Sequence, residues 1–150
     1  MKLNKGDTFK IKTNNGIGFL QYIETDELGI EFIRILEIIR ENENITQKDI
    51  DKPERWNIGF PLKAAVRKKI VEKIGTFEIP KSYKTPKLVR SEHNIQGEKL
   101  GWHIIDRSTL KRKFKKKLNK RDLKLSPHGI MNDTMIVEYL DKGWKLEEWK

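Results

Sequence analysis

Few side chains in this sequence could do chemistry, and their spacing decides how much can be asked of them. The three histidines, His93, His103 and His128, would serve as metal ligands or proton carriers. No two of them stand at the i, i+4 spacing of a helical ligand pair, so no metal site is expected. His103, next to Trp102, reads as a solvent-facing strand residue. Cysteine is absent, so a nucleophile would have to be Ser or Thr beside a base. Ser82, Ser91, Ser108 and Ser126 all lie outside a Gly-x-Ser-x-Gly elbow. Ser108, after Asp106-Arg107, reads as a turn or helix cap. Asp7, Asp26 and Asp133 fall at turns or caps, where Asp has an ordinary structural reason to be. Glu98-Lys99 has the ingredients of a nuclease pair, but a dipeptide is not a site. Gly16-Ile17-Gly18 lacks the third glycine and the following helix of a phosphate-binding loop, and reads as a hairpin. An enzyme therefore ranks last among the readings, and no cofactor is expected.

The stretch from Arg107 to Arg121 is different in kind. Arg107, Lys111, Arg112, Lys113, Lys115, Lys116, Lys117, Lys120 and Arg121 put nine cations in fifteen residues with no acid among them. Such density creates a positive local potential that speeds encounter with an acidic surface. Leu110, Phe114 and Leu118 recur every four residues, so one apolar edge is expected to pack inward, whether the element is helix or strand. Nucleic-acid binders often add exposed aromatics for base stacking. Phe114 is the only interleaved aromatic here, and its expected place in the core weighs against that partner.

The elements that must position these residues begin with an antiparallel sheet. Asp7 to Thr13 alternates, with Phe9 and Ile11 on one face, and Asn14-Asn15-Gly16 supplies a hairpin turn. Strands follow over Ile17 to Glu24 and Ile30 to Ile39, giving a three-stranded meander. Thr46 or Asn44 can cap a short helical turn through Asp51, stopped by Pro53. Pro61 stands at the expected first position of a helix carrying Leu62, Ala65, Val66 and Ile70 on one face. Ile70 to Ile79 becomes strand-like. Lys81 to Gly97, poor in apolar residues, is expected to be a long loop. Leu100 to Asp106 reads as a buried strand, and Asn132 or Asp133 caps a final helix ended by Gly143. The expectation is an α+β fold: an antiparallel, twisted sheet with two or three short helices.

Composition agrees with a folded, polar protein. At 150 residues with no linker or repeat, the chain is read as a single domain, 1–150. Hydrophobic and charged residues each make up 36%, and four Trp and six Phe give enough apolar volume for a core. The net charge of +10 is uneven: 14 Lys and Arg against 12 acids in residues 1–75, and 18 against 10 in residues 76–150. The N-terminus shows no apolar leader, and no apolar run approaches the ~20 residues that span a bilayer. A cytoplasmic protein with no membrane partner is expected.

The opening Lys5-Gly6-Asp7-Thr8-Phe9, the hairpin Gly16-Ile17-Gly18 and the later Gly101-Trp102-His103-Ile104-Ile105 resemble the Immunity protein 26 family of bacterial polymorphic toxin systems. The stretch Phe60 to Val66 and the closing Asn132-Asp133 to Gly143-Trp144 also look like a family of uncharacterised bacterial proteins. The first resemblance implies a small cytoplasmic α+β protein that binds and neutralises a cognate toxin without catalysis. Many immunity proteins are acidic because nuclease toxins are basic; a chain of +10 would need an acidic protein partner. The alternative is a nucleic-acid-binding protein whose Arg107–Arg121 cations contact phosphates.

Overall fold

A computed structural model covers residues 1–150 and has an α+β fold with two antiparallel sheets. The backbone gathers into two compact units: Met1–Tyr83 with Gly129–Trp144, and Lys84–His128 with Lys145–Lys150. Both are discontinuous in sequence, each completed by a distant segment, so no single linker marks their boundary.

The first unit contains β1 (Asp7–Thr13), β2 (Gly16–Thr25), β3 (Glu31–Ile35), α1 (Gln47–Ile50), β4 (Trp56–Gly59), α2 (Leu62–Arg67), β5 (Val71–Thr76) and α3 (Asp133–Lys142). Its sheet runs in the order β4-β3-β2-β1-β5, so the N-terminal meander lies at its centre. Alternation places Phe9 and Ile11 on one face of the sheet, where Leu20 stands opposite Phe9 and Ile35 opposite Leu20, while Phe19 on the other face joins Leu36 and Ile50 in a buried cluster. Removing each such side chain from water contributes about 1.5–3 kcal/mol. The third strand is shorter than the Ile30–Ile39 read from the sequence. After Ile35 the chain leaves the ladder, although Arg40 returns to bridge Ile17.

Local signals set the helices. Thr46 and Asp49 form a reciprocal capping box on α1. Asp49 also accepts from Arg40 Nη2 at 2.7 Å. Pro61 occupies the cap of α2, one residue earlier than expected. Asn132 Oδ1 accepts from the Met135 N–H to start α3, and Gly143 ends it in the left-handed conformation. Trp56, fully buried, meets Tyr139 and Trp144 edge-on at 6.0 and 5.2 Å between ring centroids. Arg34 is buried in the same unit and spends its guanidinium on Gln21, Glu54 and the carbonyls of Ile50 and Lys52. That cation belongs to the fold.

The second unit contains β6 (Leu88–Ile95), β7 (Glu98–Asp106) and β8 (Arg112–Lys115), in that order across the sheet, with two 3₁₀ turns at Asp122–Lys124 and Leu146–Glu148. β6 corrects the expected loop over Lys81–Gly97. Gln96 (φ 50°) and Gly97 (φ 81°) make a tight left-handed turn that returns β6 along β7. Apolar periodicity does not mark this strand, because charged residues fill its inward positions. Arg90 sits opposite Ile104 and Glu92 opposite Trp102. Arg90 is fully buried and donates to the carbonyls of Leu123, Leu125, Leu146 and Trp149, with Trp102 and Trp149 rings within 5.0 Å of its guanidinium. Burial pulls its pKa down to about 10, still well above neutrality, so it stays charged. Four carbonyl acceptors and two ring faces satisfy what would otherwise be a costly buried charge.

Candidate partner-binding surface

The nine cations of Arg107–Arg121 lie on the β7–β8 hairpin, on β8 and on the loop that follows. A turn over Asp106–Lys111 connects β7 to β8. Asp106 Oδ1 accepts from the Ser108 hydroxyl at 2.7 Å and from the N–H groups of Ser108 and Thr109, which holds the Asp106 carboxyl down to about 2. Leu110 closes the turn at φ 62°, its N–H bonded to the Asp106 carbonyl.

Two of the nine cations are used by the fold. Arg107 donates to the Pro86 carbonyl at 3.0 Å. Lys115 Nζ donates to Asp122 Oδ2 at 2.7 Å. Burial alone would raise the Asp122 pKa, but Lys115 and the Asn119 N–H hold it below the usual range. Lys111, Arg112, Lys113, Lys116, Lys117, Lys120 and Arg121 are exposed and make no ion pair. These seven remain free to meet an acidic surface.

The apolar edge expected to pack inward does not. Leu110 is 54% exposed and Phe114 51%; only Leu118 is half-buried. The period of four that suggested a packed stripe has no meaning across a turn followed by a strand, where side chains alternate every two residues. Phe114 lies directly opposite His103 in the β7–β8 ladder. Its ring meets His93 at 5.5 Å and His103 at 6.0 Å between centroids, both edge-on. Gly101 makes room beneath it, since a Cβ there would come within 2.7 Å of the Phe114 ring. Ile95 ends β6 half-exposed, on the same side of that strand as His93.

The two imidazoles are bonded to one another, His103 Nε2 to His93 Nδ1 at 2.9 Å. His103 Nδ1 is buried without a partner. The tautomer that donates from His103 Nε2 leaves only a lone pair in that pocket. The other tautomer would bury an N–H with no acceptor, which is tolerated less readily. Desolvation, then the charges of His93 and Arg112, lower the His103 pKa. His103 is thus a half-buried member of the Phe114 cluster rather than a solvent-facing residue. The cluster was visible in sequence only to someone who knew the hairpin register, because nothing in the spacing of residues 93, 103 and 114 connects them.

No three His, Asp or Glu side chains converge to hold a metal ion. No helix is long and apolar enough to cross a membrane. What the arrangement offers chemically is a half-exposed aromatic ring on an outer strand, flanked by imidazoles and bordered by unpaired cations. Compared with protein-family models, curated proteins and solved structures, the chain matches none.

Proposed function

We propose that the chain is a non-catalytic binding protein of the cytoplasm, an immunity-type inhibitor that neutralises a bacterial toxin by docking the Phe114 surface onto an acidic patch of it. The observation that carries this reading is the exposed Phe114 among cations that make no ion pair within the chain. Protein interfaces gain most of their affinity from a few aromatic and Arg anchors surrounded by a polar rim, and Phe114 with Arg112 supplies both types. The surrounding lysines would steer the encounter and set its salt dependence. The resemblance in Lys5–Phe9, Gly16–Gly18 and Gly101–Ile105 points the same way.

The test starts at the neighbouring gene: a toxin domain encoded there is co-expressed with the chain, and a neighbour encoding no toxin counts against the reading. The intact chain should rescue growth, and the variant R112Q/K113Q/K116Q/K117Q, folded by circular dichroism, should not. Rescue undiminished by that variant removes the basic surface from the reading.

A second reading is favoured by the same exposed ring: single-stranded nucleic acid whose bases stack on Phe114 while Arg107–Arg121 cations contact phosphates. It expects a labelled oligonucleotide to bind at ~50 mM salt with an affinity falling steeply as salt rises. Absence of that binding leaves the protein partner.

A further inference from the structure

Resting on the reading of an acidic protein partner, we propose that β8 receives an extended acidic segment of that partner as a fourth strand of the β6-β7-β8 sheet. β8 is the outer strand, and its backbone is bonded to β7 alone. In an antiparallel ladder alternate residues turn their N–H and C=O groups away from the neighbour, so half of the β8 backbone is open for pairing. The other sheet edges differ. Gly59 of β4 is bonded to Gly129 and Met131, and Arg90 of β6 is bonded to Ser126 and His128, so passing chain covers both strands there. β5 is open as well, but its Glu72 and Lys73 are of opposite sign and already paired with Lys10 and Asp7. It has no preference for the charge of an incoming strand.

β8 does have a preference. Arg112 and Lys113 are exposed and make no ion pair, and Lys111 and Lys116 extend the same sign past both ends. Lysines on an edge repel a second copy of this basic chain, which is how many proteins keep such edges from self-association. The same charges attract a strand rich in Asp or Glu, so one feature both rejects self and selects the partner. Side chains on β8 alternate, with Arg112 and Phe114 on one face and Lys113 and Lys115 on the other. The strand that fits therefore carries an apolar residue beside Phe114 and acids on the Lys113 face.

The experiment uses the full chain and two ten-residue peptides of alternating Glu and Val. One is unmodified and the other is N-methylated at alternate residues, which keeps the charge and removes the ladder donors. The unmodified peptide should bind about tenfold more tightly or better, the loss of two net hydrogen bonds. Alternate amides of Arg112–Lys115 should also gain protection from hydrogen exchange. Equal, salt-dependent binding of both peptides overturns strand addition while leaving the acidic-partner reading intact. Binding of neither peptide also overturns strand addition, and the growth-rescue assay, which uses no peptide, then decides the reading by itself.

Discussion

The first unit holds 16 Lys and Arg against 16 Asp and Glu, whereas the second holds 16 against 6. The entire net charge of the chain therefore resides in the smaller unit. The two also spend their charges differently. In the first, Lys10 pairs with Glu43 and Glu72, Arg34 with Glu54, Arg40 with Asp49 and Lys73 with Asp7. In the second, acids are too few to pair the cations, and most of the basic stretch has no partner. One unit is built like a neutral globular core. The other is a small sheet whose surplus charge contributes nothing to its own cohesion, which is what a surface kept for something else would look like.

Phenylalanine offers the widest contrast. Phe9 is fully buried in the first unit and Phe114 is half-exposed in the second. Phe9→Ala should cost about 3–5 kcal/mol in a denaturant titration. Phe114→Ala should cost under about 1 kcal/mol, because half of its ring is already in water. Similar losses from both would mean that Phe114 is a core residue after all. Selective loss of partner binding from Phe114→Ala would sharpen its role as an anchor.

Next comes the cation that the second unit does use. Arg90→Met removes the donors from four carbonyls at once, and should destabilise by about 3 kcal/mol or more. Hydrogen exchange checks where the cost falls. Amides of β6 and β7 should exchange faster while those of β1 and β2 stay protected. Uniform acceleration throughout the chain would dissolve the distinction between the units.

These residues also explain what the sequence disclosed and what it concealed. The β1–β2 hairpin, α1 and α3 are legible because alternation, a Thr cap with a Pro stop and an Asn–Gly pair of helix ends act locally. β6 was hidden because hydrophobic periodicity counts only apolar residues, and Arg90 is buried by hydrogen bonds to segments 33 to 59 residues away. The density of the nine cations is plain from composition. Which of them stay unpaired is not, since Lys115 and Asp122 are joined by a loop whose path no local rule predicts. Phe114 was misplaced for a related reason: a spacing of four implies a stripe only within a single helix.

Acid should separate the units more gently. All three histidines lie in the second. Burial lowers the pKa of His103, with help from His93 and Arg112, and burial with Arg112 lowers that of His128. Both protonate near pH 6.5 in the unfolded chain and only at lower pH in the folded one. The unfolded state then binds more protons, so stability falls as pH drops from about 6.5 through the folded pKa values and is fully retained above. Urea midpoints between pH 7.5 and 5 should show this decline, and His103→Phe should reduce it. A profile unchanged by that substitution would take His103 out of the account.

The smallest effect bears most directly on what the surplus charge is for. Lys116, Lys117 and Lys120 make no ion pair, and each like-charge neighbour costs a few tenths of a kcal/mol at low salt. K116Q/K117Q/K120Q should therefore raise stability, by no more than about 1 kcal/mol, and the gain should shrink as the Debye length falls to ~3 Å in 1 M salt. Neutralising Lys10, Arg40 and Lys73 in the first unit should have the opposite sign, because those cations have acids beside them. Urea midpoints at two salt concentrations settle both. A loss of stability in the second-unit triple variant would show that these lysines hold the fold together. A gain in stability joined to a loss of partner binding separates recognition from folding at the same three residues, and a merely solvated face would show the first without the second.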